Sequence, residues 1–281
     1  MPQREPRETR EQHQLDNEDE DDIQPATDST NDTSQQRSST MTSLNLPQER
    51  SEGHIFLFCG GMGCGKTTSL IHCMYPYFKK AFFKFGVVFA PSKDTGDYDF
   101  LPDNWVHEQF SMDKLETYVA FLKAKRKQIK AKFGKEAELP PSFLVLDDTF
   151  GSVQWYHPAI NQLLILHRHL NLWVFITCQS LAGHGSSTSL RNWANYIFLF
   201  RAKSGAEVES NFRAFGKYTG ETQRIFADAN HFVALLNHAT SEQYRCMLIQ
   251  AQIGKPISMS YWKAGRTKPF TVIPPRNIFG L

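Results

Sequence analysis

A 281-residue chain that is 41% apolar and holds 22 Phe can fill the core of one large domain or two small ones. It starts without an apolar signal core, no stretch approaches the roughly 20 apolar residues that cross a bilayer, and its five cysteines form no C-x-x-C pair. These features speak against secretion, a membrane span, a disulfide framework and a zinc module, and lead us to expect a soluble intracellular protein with free thiols. The formal charge of +2 conceals an asymmetry: residues 1–52 hold five Lys/Arg against thirteen Asp/Glu, net −8, which leaves +10 on residues 53–281. A basic body of this kind ranks nucleic acid first among partners, though only weakly.

Residues 1–52 lack Phe, Trp and Tyr and carry the acidic block Glu18–Asp22. Such a segment buries too little apolar surface to offset its conformational entropy, so a disordered acidic tail is expected. A folded domain over residues 53–252 and an irregular, Pro-rich tail over 253–281 complete the expected organisation.

The domain opens on HIFLFCGGMGCGKTTS, His54 to Ser69. An apolar strand, Ile55 to Cys59, runs into a Gly-rich turn and then a segment with helical spacing. Gly60, Gly65, Lys66 and Thr67 fit G-x-x-x-x-G-K-[ST], the phosphate-binding P-loop. Backbone N–H groups can converge on an anion only with φ values that Gly adopts cheaply, and the following helix adds its positive end. Gly60, Gly61, Met62, Gly63, Cys64, Gly65, Lys66, Thr67 and Thr68 are therefore the expected nucleotide-binding residues. Lys66 is to reach the β- and γ-phosphates and Thr67 to hold Mg²⁺. Cys64 reads as a small filler rather than a reactive thiol.

A second buried strand is expected at Lys84–Ala90, then loop over 91–110 and a long helix over 113–134. One stripe of that helix is apolar (Leu115, Tyr118, Val119, Leu122, Ile129, Phe133), and lysines 123, 125, 127, 130 and 132 occupy mostly the other faces. The lysines form either a solvated face or a nucleic-acid contact. Next, Phe143-Leu144-Val145-Leu146 ends in Asp147-Asp148. In an open parallel sheet this strand end lies at the ligand crevice, where Asp147 is to hold Mg²⁺ and Asp148 to polarise the attacking water. Residues 158–169 read as a helix with His167 and His169 on its surface. The strand Leu172–Cys178 follows and leads straight into Gln179, a polar amide able to sense the γ-phosphate. A fifth strand, Asn195–Phe200, ends at Arg201. Helical segments are expected near 205–216 and 221–229, and a β-hairpin from His231–Leu236 and Tyr244–Gln250 across Thr240-Ser241.

This succession resembles the FtsK/HerA superfamily, and within it the poxvirus-type genome-packaging ATPases of large DNA viruses, virophages and Polinton-like elements. The blocks Arg168–Gln179 and Leu190–Arg201 carry the specificity. The resemblance implies an α/β fold, a P-loop NTPase of RecA-like (ASCE) type with a parallel sheet of order 5-1-4-3-2 flanked by helices and a C-terminal β-hairpin extension. It implies ATP and Mg²⁺ as cofactors and a homo-oligomeric ring, hexamer or pentamer. That ring would package double-stranded DNA into a preformed viral capsid, inside the host in a cytoplasmic virus factory or the nucleus, with association to the virion as a further stage. It also implies an arginine finger from a neighbouring subunit, for which Arg168, Arg191 and Arg201 are candidates. Carried over by motif, Gln179 is the sensor, and Asp148 stands where many relatives have Glu. The competing readings are a P-loop nucleotide kinase or other P-loop NTPase not coupled to DNA, and a non-catalytic nucleotide-binding scaffold.

Overall fold

Apolar segments of four to seven residues, buried along their whole length, form the centre of a single eight-stranded sheet. The structure is a computed structural model describing residues 52–179, 187–216, 225–252 and 254–265. In chain order its elements are β1 (Ile55–Cys59), α1 (Lys66–Lys79), β2 (Phe85–Phe89), β3 (Val106–His107), α2 (Met112–Phe133), β4 (Ser142–Leu146), α3 (Pro158–Leu166) and β5 (Leu172–Cys178). Then come α4 (Ser187–Trp193), β6 (Tyr196–Leu199), α5 (Gly205–Phe215), α6 (Ala229–Ala239), β7 (Arg245–Gln250) and β8 (Ser258–Lys263). The acidic block and the rest of residues 1–51 lie outside the described residues.

The sheet order is β3-β2-β4-β5-β1-β6-β7-β8. Read from β6 to β2, its centre is the expected 5-1-4-3-2, all parallel. The sheet is longer than expected at both edges, by the short parallel β3 on one side and the antiparallel pair β7-β8 on the other.

Each central strand alternates aromatic and aliphatic residues, so the two faces of the sheet differ in kind. Phe56, Phe58, Phe143, Trp173, Phe175, Tyr196 and Phe198 share one face with the buried side of α1. Rings stack across strands there: Phe56 lies 4.6 Å from Phe175 and 4.7 Å from Tyr196, and Phe58 lies 4.4 Å from Phe198. Ile55, Leu57, Leu144, Leu146, Val174, Ile176, Ile197 and Leu199 form the other face, under α2, α3, α5 and α6. With both faces covered and parallel strands aligned, the C-terminal ends of β1, β4, β5 and β6 meet along one edge.

Several expectations need correction. Residues 231–236 belong to α6 and not to a hairpin strand. The Asp228 carboxylate accepts the His231 N–H at 2.8 Å as an N-cap, and Phe232, Leu236 and Ala239 are buried at helical spacing. The C-terminal antiparallel pair is β7 with β8, so residues 258–263, expected in an irregular tail, are a strand of the sheet. The segment expected to be helical at 221–229 falls partly outside the described residues, and helix begins only at Ala229. Phe133, the last residue of α2, does not join its buried stripe, being 68% exposed. His167 is buried, with Nδ1 2.6 Å from the Leu164 carbonyl, whereas His169 is exposed as expected.

Candidate active site

The loop between β1 and α1 turns back over the sheet edge. Gly63 and Gly65 have φ of +75° and +93°, values that cost an L-residue strain and cost Gly little. At Gly60 the constraint is close approach: a Cβ would fall 2.6 Å from Phe200 Cβ and 2.8 Å from Cys64 Sγ. The loop is thus pressed against the end of β6 before it enters α1. Lys66 is buried, and its Nζ donates to the carbonyls of Gly60 at 2.9 Å and Gly61 at 3.0 Å. The ammonium is held inside the ring of loop N–H groups by atoms that a phosphate oxygen can replace. Burial pushes the Cys64 thiol up from its usual pKa, which fits the reading of a filler and not a nucleophile.

Asp147, one residue beyond β4, is the most heavily hydrogen-bonded carboxylate of the site. It accepts from Thr67 Oγ1 at 3.0 and 3.2 Å, from Thr177 Oγ1 at 2.8 Å and from Tyr98 Oη at 2.9 Å. Burial raises its pKa, the three hydroxyl donors pull it back, and the neighbouring charge of Asp148 pushes it up again. Asp148 is different: it is exposed, sits at φ +51° and donates its N–H to Thr177 Oγ1 at 2.8 Å. Two adjacent carboxylates therefore have distinct environments, one locked beside Thr67 and one turned to solvent. That split suits one acid to a cation and the other to water.

The donor set fits Mg²⁺. A Thr hydroxyl beside a carboxylate offers hard oxygen ligands, and no group of three or more His, Cys, Asp or Glu among the described residues could hold a metal by itself. An ion with one or two protein ligands takes the rest from phosphates and water, as Mg²⁺ does.

Gln179 follows β5 directly and is exposed at the same edge, where the Gly60 N–H donates to the Cys178 carbonyl at 3.1 Å. The arginines separate. Arg201 follows β6 on the P-loop edge and is exposed. Arg168 and Arg191 precede β5 and β6 and lie at the opposite edge, with Arg168 Nε 3.9 Å from Glu52 before β1. The length of β5 places Arg168 about 20 Å from the P-loop of its own chain.

Tyr98, Thr177 and Lys203 are additions that sequence pattern did not single out. Lys203 Nζ donates to the Met62 carbonyl at 2.6 Å, which puts a second cation on the lip of the loop. Tyr98 lies in a loop with no motif around it, and Thr177 reads as one more residue of an apolar strand. Only strand pairing brings Thr177 to Asp147.

Away from this edge, α2 and α3 border a half-open cavity of about 460 Å³ lined by Lys123, Arg126, Lys127 and Lys130 on one side and Gln162 and His169 on the other. Lys123 Nζ donates to Gln162 Oε1 at 2.7 Å, and among the described residues no carboxylate lines the cavity. No helix among the described residues is long and apolar enough to cross a membrane.

A parallel sheet of this order, with a Gly-rich loop, Lys66, Thr67 and a paired Asp147 at one edge, defines a P-loop ATPase of RecA-like type. The chain belongs to the poxvirus A32 protein family, which it matches over residues 49–253. That membership agrees with the resemblance drawn from the motifs. Among solved structures, the genome packaging NTPase B204 from Sulfolobus turreted icosahedral virus 2, in complex with AMPPCP, is similar with a TM-score of 0.50 at 14% identity over 75% of this chain and 98% of that one. The cytoplasmic domain of the type VII secretion ATPase EccC from Thermomonospora curvata aligns with a TM-score of 0.49 at 13% identity, over 77% of this chain and 26% of that one. EssC (ATPases 2 and 3) from Geobacillus thermodenitrificans aligns with a TM-score of 0.48 at 15% identity, over 77% of this chain and 40% of that one. No curated protein matches significantly by sequence.

Proposed function

We propose that this protein hydrolyses ATP and uses the energy to move double-stranded DNA into a preformed viral capsid. The observation that carries the reading is the junction of Thr67 with Asp147 at the sheet edge: a phosphate loop, a metal-side acid and a second, solvent-facing carboxylate meet in one chain of the poxvirus A32 family. Lys66 exchanges its loop carbonyls for the β- and γ-phosphate oxygens. Thr67 and Asp147 hold Mg²⁺, which supplies charge neutralisation across the phosphates when bound. Asp148 orients the attacking water and Gln179 senses whether the γ-phosphate is present.

Arg168 and Arg191 are too far from their own P-loop to serve it, so a finger from either reaches a neighbouring subunit. A finger given to a neighbour needs an oligomer, which we take to be a ring, hexameric or pentameric; the capsid proteins as partners and a place inside the host cell, in a cytoplasmic virus factory or the nucleus, rest on the family resemblance. The B204 protein is described as a genome packaging NTPase, and its shared fold accords with this assignment. The basic cavity between α2 and α3 is the surface we assign to the DNA backbone.

The test is ATP turnover by the assembled protein with and without duplex DNA, with Lys66→Ala as the inactive control. Stimulation by duplex DNA is expected. Turnover indifferent to DNA points instead to an NTPase of another kind.

A further inference from the structure

The chain between α6 and β7 reaches back to the phosphate loop. Tyr244, just before β7, has φ +61°, a left-handed value that an aromatic residue rarely adopts. Its ring stands where a Gly65 side chain would be: a Cβ there would meet Tyr244 Cδ1 at 2.7 Å and Cε1 at 3.3 Å. Gly65 is the N-cap of α1, so the ring borders the helix end that receives the phosphates. Tyr244 nevertheless remains 40% exposed.

The turn that carries Tyr244 is fastened on both sides. Arg245 donates to the carbonyls of Ala239 and His238, each at 3.1 Å. Glu242 accepts from Arg245 and from Lys263 of β8, each at 2.6 Å. The Tyr244 carbonyl accepts the Ala264 N–H at 3.1 Å, and the next residue, Gly265, packs against His72 of α1 with its N–H 3.5 Å from Nε2. His72 lies one helical turn beyond the exposed Thr68. Tyr244, Gly265 and His72 therefore form a wall along the first turns of α1. The N–H groups of a P-loop cradle the α- and β-phosphates while its Lys reaches the β- and γ-phosphates, so a nucleoside extending past the α-phosphate is within reach of a ring that borders the loop at Gly65.

We infer that Tyr244 is the base-stacking platform of the nucleotide site, taking the purine of ATP on its exposed ring face. A left-handed aromatic pinned by ion pairs at a ligand crevice is strain kept for a purpose, because the ring is set before ligand arrives and ordering it costs nothing on binding. The inference rests on the ATPase reading but goes beyond it, because the phosphate site would function without this residue.

Asn tolerates positive φ, so Tyr244→Asn removes the ring without adding backbone strain. Affinities for ATP and for inorganic tripolyphosphate, measured calorimetrically on the full chain, separate base from phosphate recognition. ATP is expected to bind Tyr244→Asn about tenfold more weakly, tripolyphosphate within about twofold of wild type, and Tyr244→Phe to recover ATP affinity. The loss falls on KM more than on kcat. In Tyr244→Trp, ATP and not tripolyphosphate is expected to quench fluorescence beyond the change in wild type, a readout independent of how the Asn variant folds. Equal weakening of ATP and tripolyphosphate, unaltered ATP affinity, or no added quenching overturns the inference while leaving the ATPase intact. A wild-type chain that fails to bind ATP overturns the ATPase reading and this inference with it.

Discussion

Thr67 and Asp147, eighty residues apart, meet with Oγ1 3.0 Å from Oδ2, so the first turn of α1 is joined to the end of β4 beside the Gly-rich loop. The same carboxylate is gripped by Tyr98 and Thr177. Asp147→Asn keeps the shape but removes the charge, and its amide faces three hydroxyls that now donate. Hydrolysis should fall at least about a hundredfold while nucleotide binding persists. Tyr98→Phe removes one donor only. It should lower kcat by roughly tenfold and cost on the order of 1 kcal/mol of stability, measured by turnover and urea denaturation. Thr177→Val should do more, because Thr177 also fixes the Asp148 N–H.

The arginine finger can be located by mixing subunits. Arg168 lies at the sheet edge opposite its own P-loop, so Arg168→Ala should silence an assembly without weakening ATP binding. Lys66→Ala silences it by the other route. Mixed assemblies place an intact P-loop beside an intact Arg168 at some interfaces, and part of the activity should return. If Arg201, on the P-loop edge, were the working arginine, Arg201→Ala would be the inactive variant and Arg168→Ala would retain turnover. ATPase rate against mixing ratio distinguishes the two.

The centre of the fold was legible because each buried strand is a short apolar run closed by a motif residue: Cys59 before the loop, Leu146 before Asp147-Asp148, Cys178 before Gln179. The edges were not. β3 is two residues long, too short to leave a period, and β8 (SMSYWK) mixes polar and aromatic residues in a segment flanked by proline. Residues 231–236 read as a strand because HFVALL is apolar almost throughout, and the deciding helical signal was the cap at Asp228. The P-loop residues and Asp147-Asp148 stand out by spacing alone. Tyr98, Thr177 and Tyr244 reach the site through loops and strand register, which one-dimensional spacing does not encode.

A half-buried and a buried histidine, His54 and His167, bear on the response to acid. Desolvation lowers both His54 and His167 from 6.5 to about 4; neighbouring cations add to the effect at each, and the hydrogen bond to the Leu164 carbonyl partly offsets it at His167. A histidine whose folded pKa lies below its unfolded value opposes folding once protonated. Their contribution is therefore fully present above about pH 6.5 and lost as pH falls toward 4, by on the order of a few kcal/mol for the interacting pair. Urea midpoints should drop between pH 7 and pH 5. His54→Phe, which keeps the ring packing on Trp173 and Tyr196, should flatten that slope, as should His167→Asn, whose amide can still donate to the Leu164 carbonyl.

The basic cavity between α2 and α3 makes a separable prediction about DNA. Lys123, Arg126, Lys127 and Lys130 face a space that no carboxylate among the described residues lines, and they lie apart from the P-loop edge. Replacing all four by Gln should leave ATP turnover without DNA within about twofold, because none touches the nucleotide. Affinity for duplex DNA should fall, and so should DNA stimulation. Each lost phosphate contact should reduce the slope of log affinity against log salt by about 0.9, so four contacts make it less steep by roughly 3 to 4. A slope that stays the same places the DNA path elsewhere on the ring and leaves these residues as a solvated helix face. A shallower slope with intact basal turnover ties α2 to the DNA backbone, and it does so independently of which arginine completes the active site.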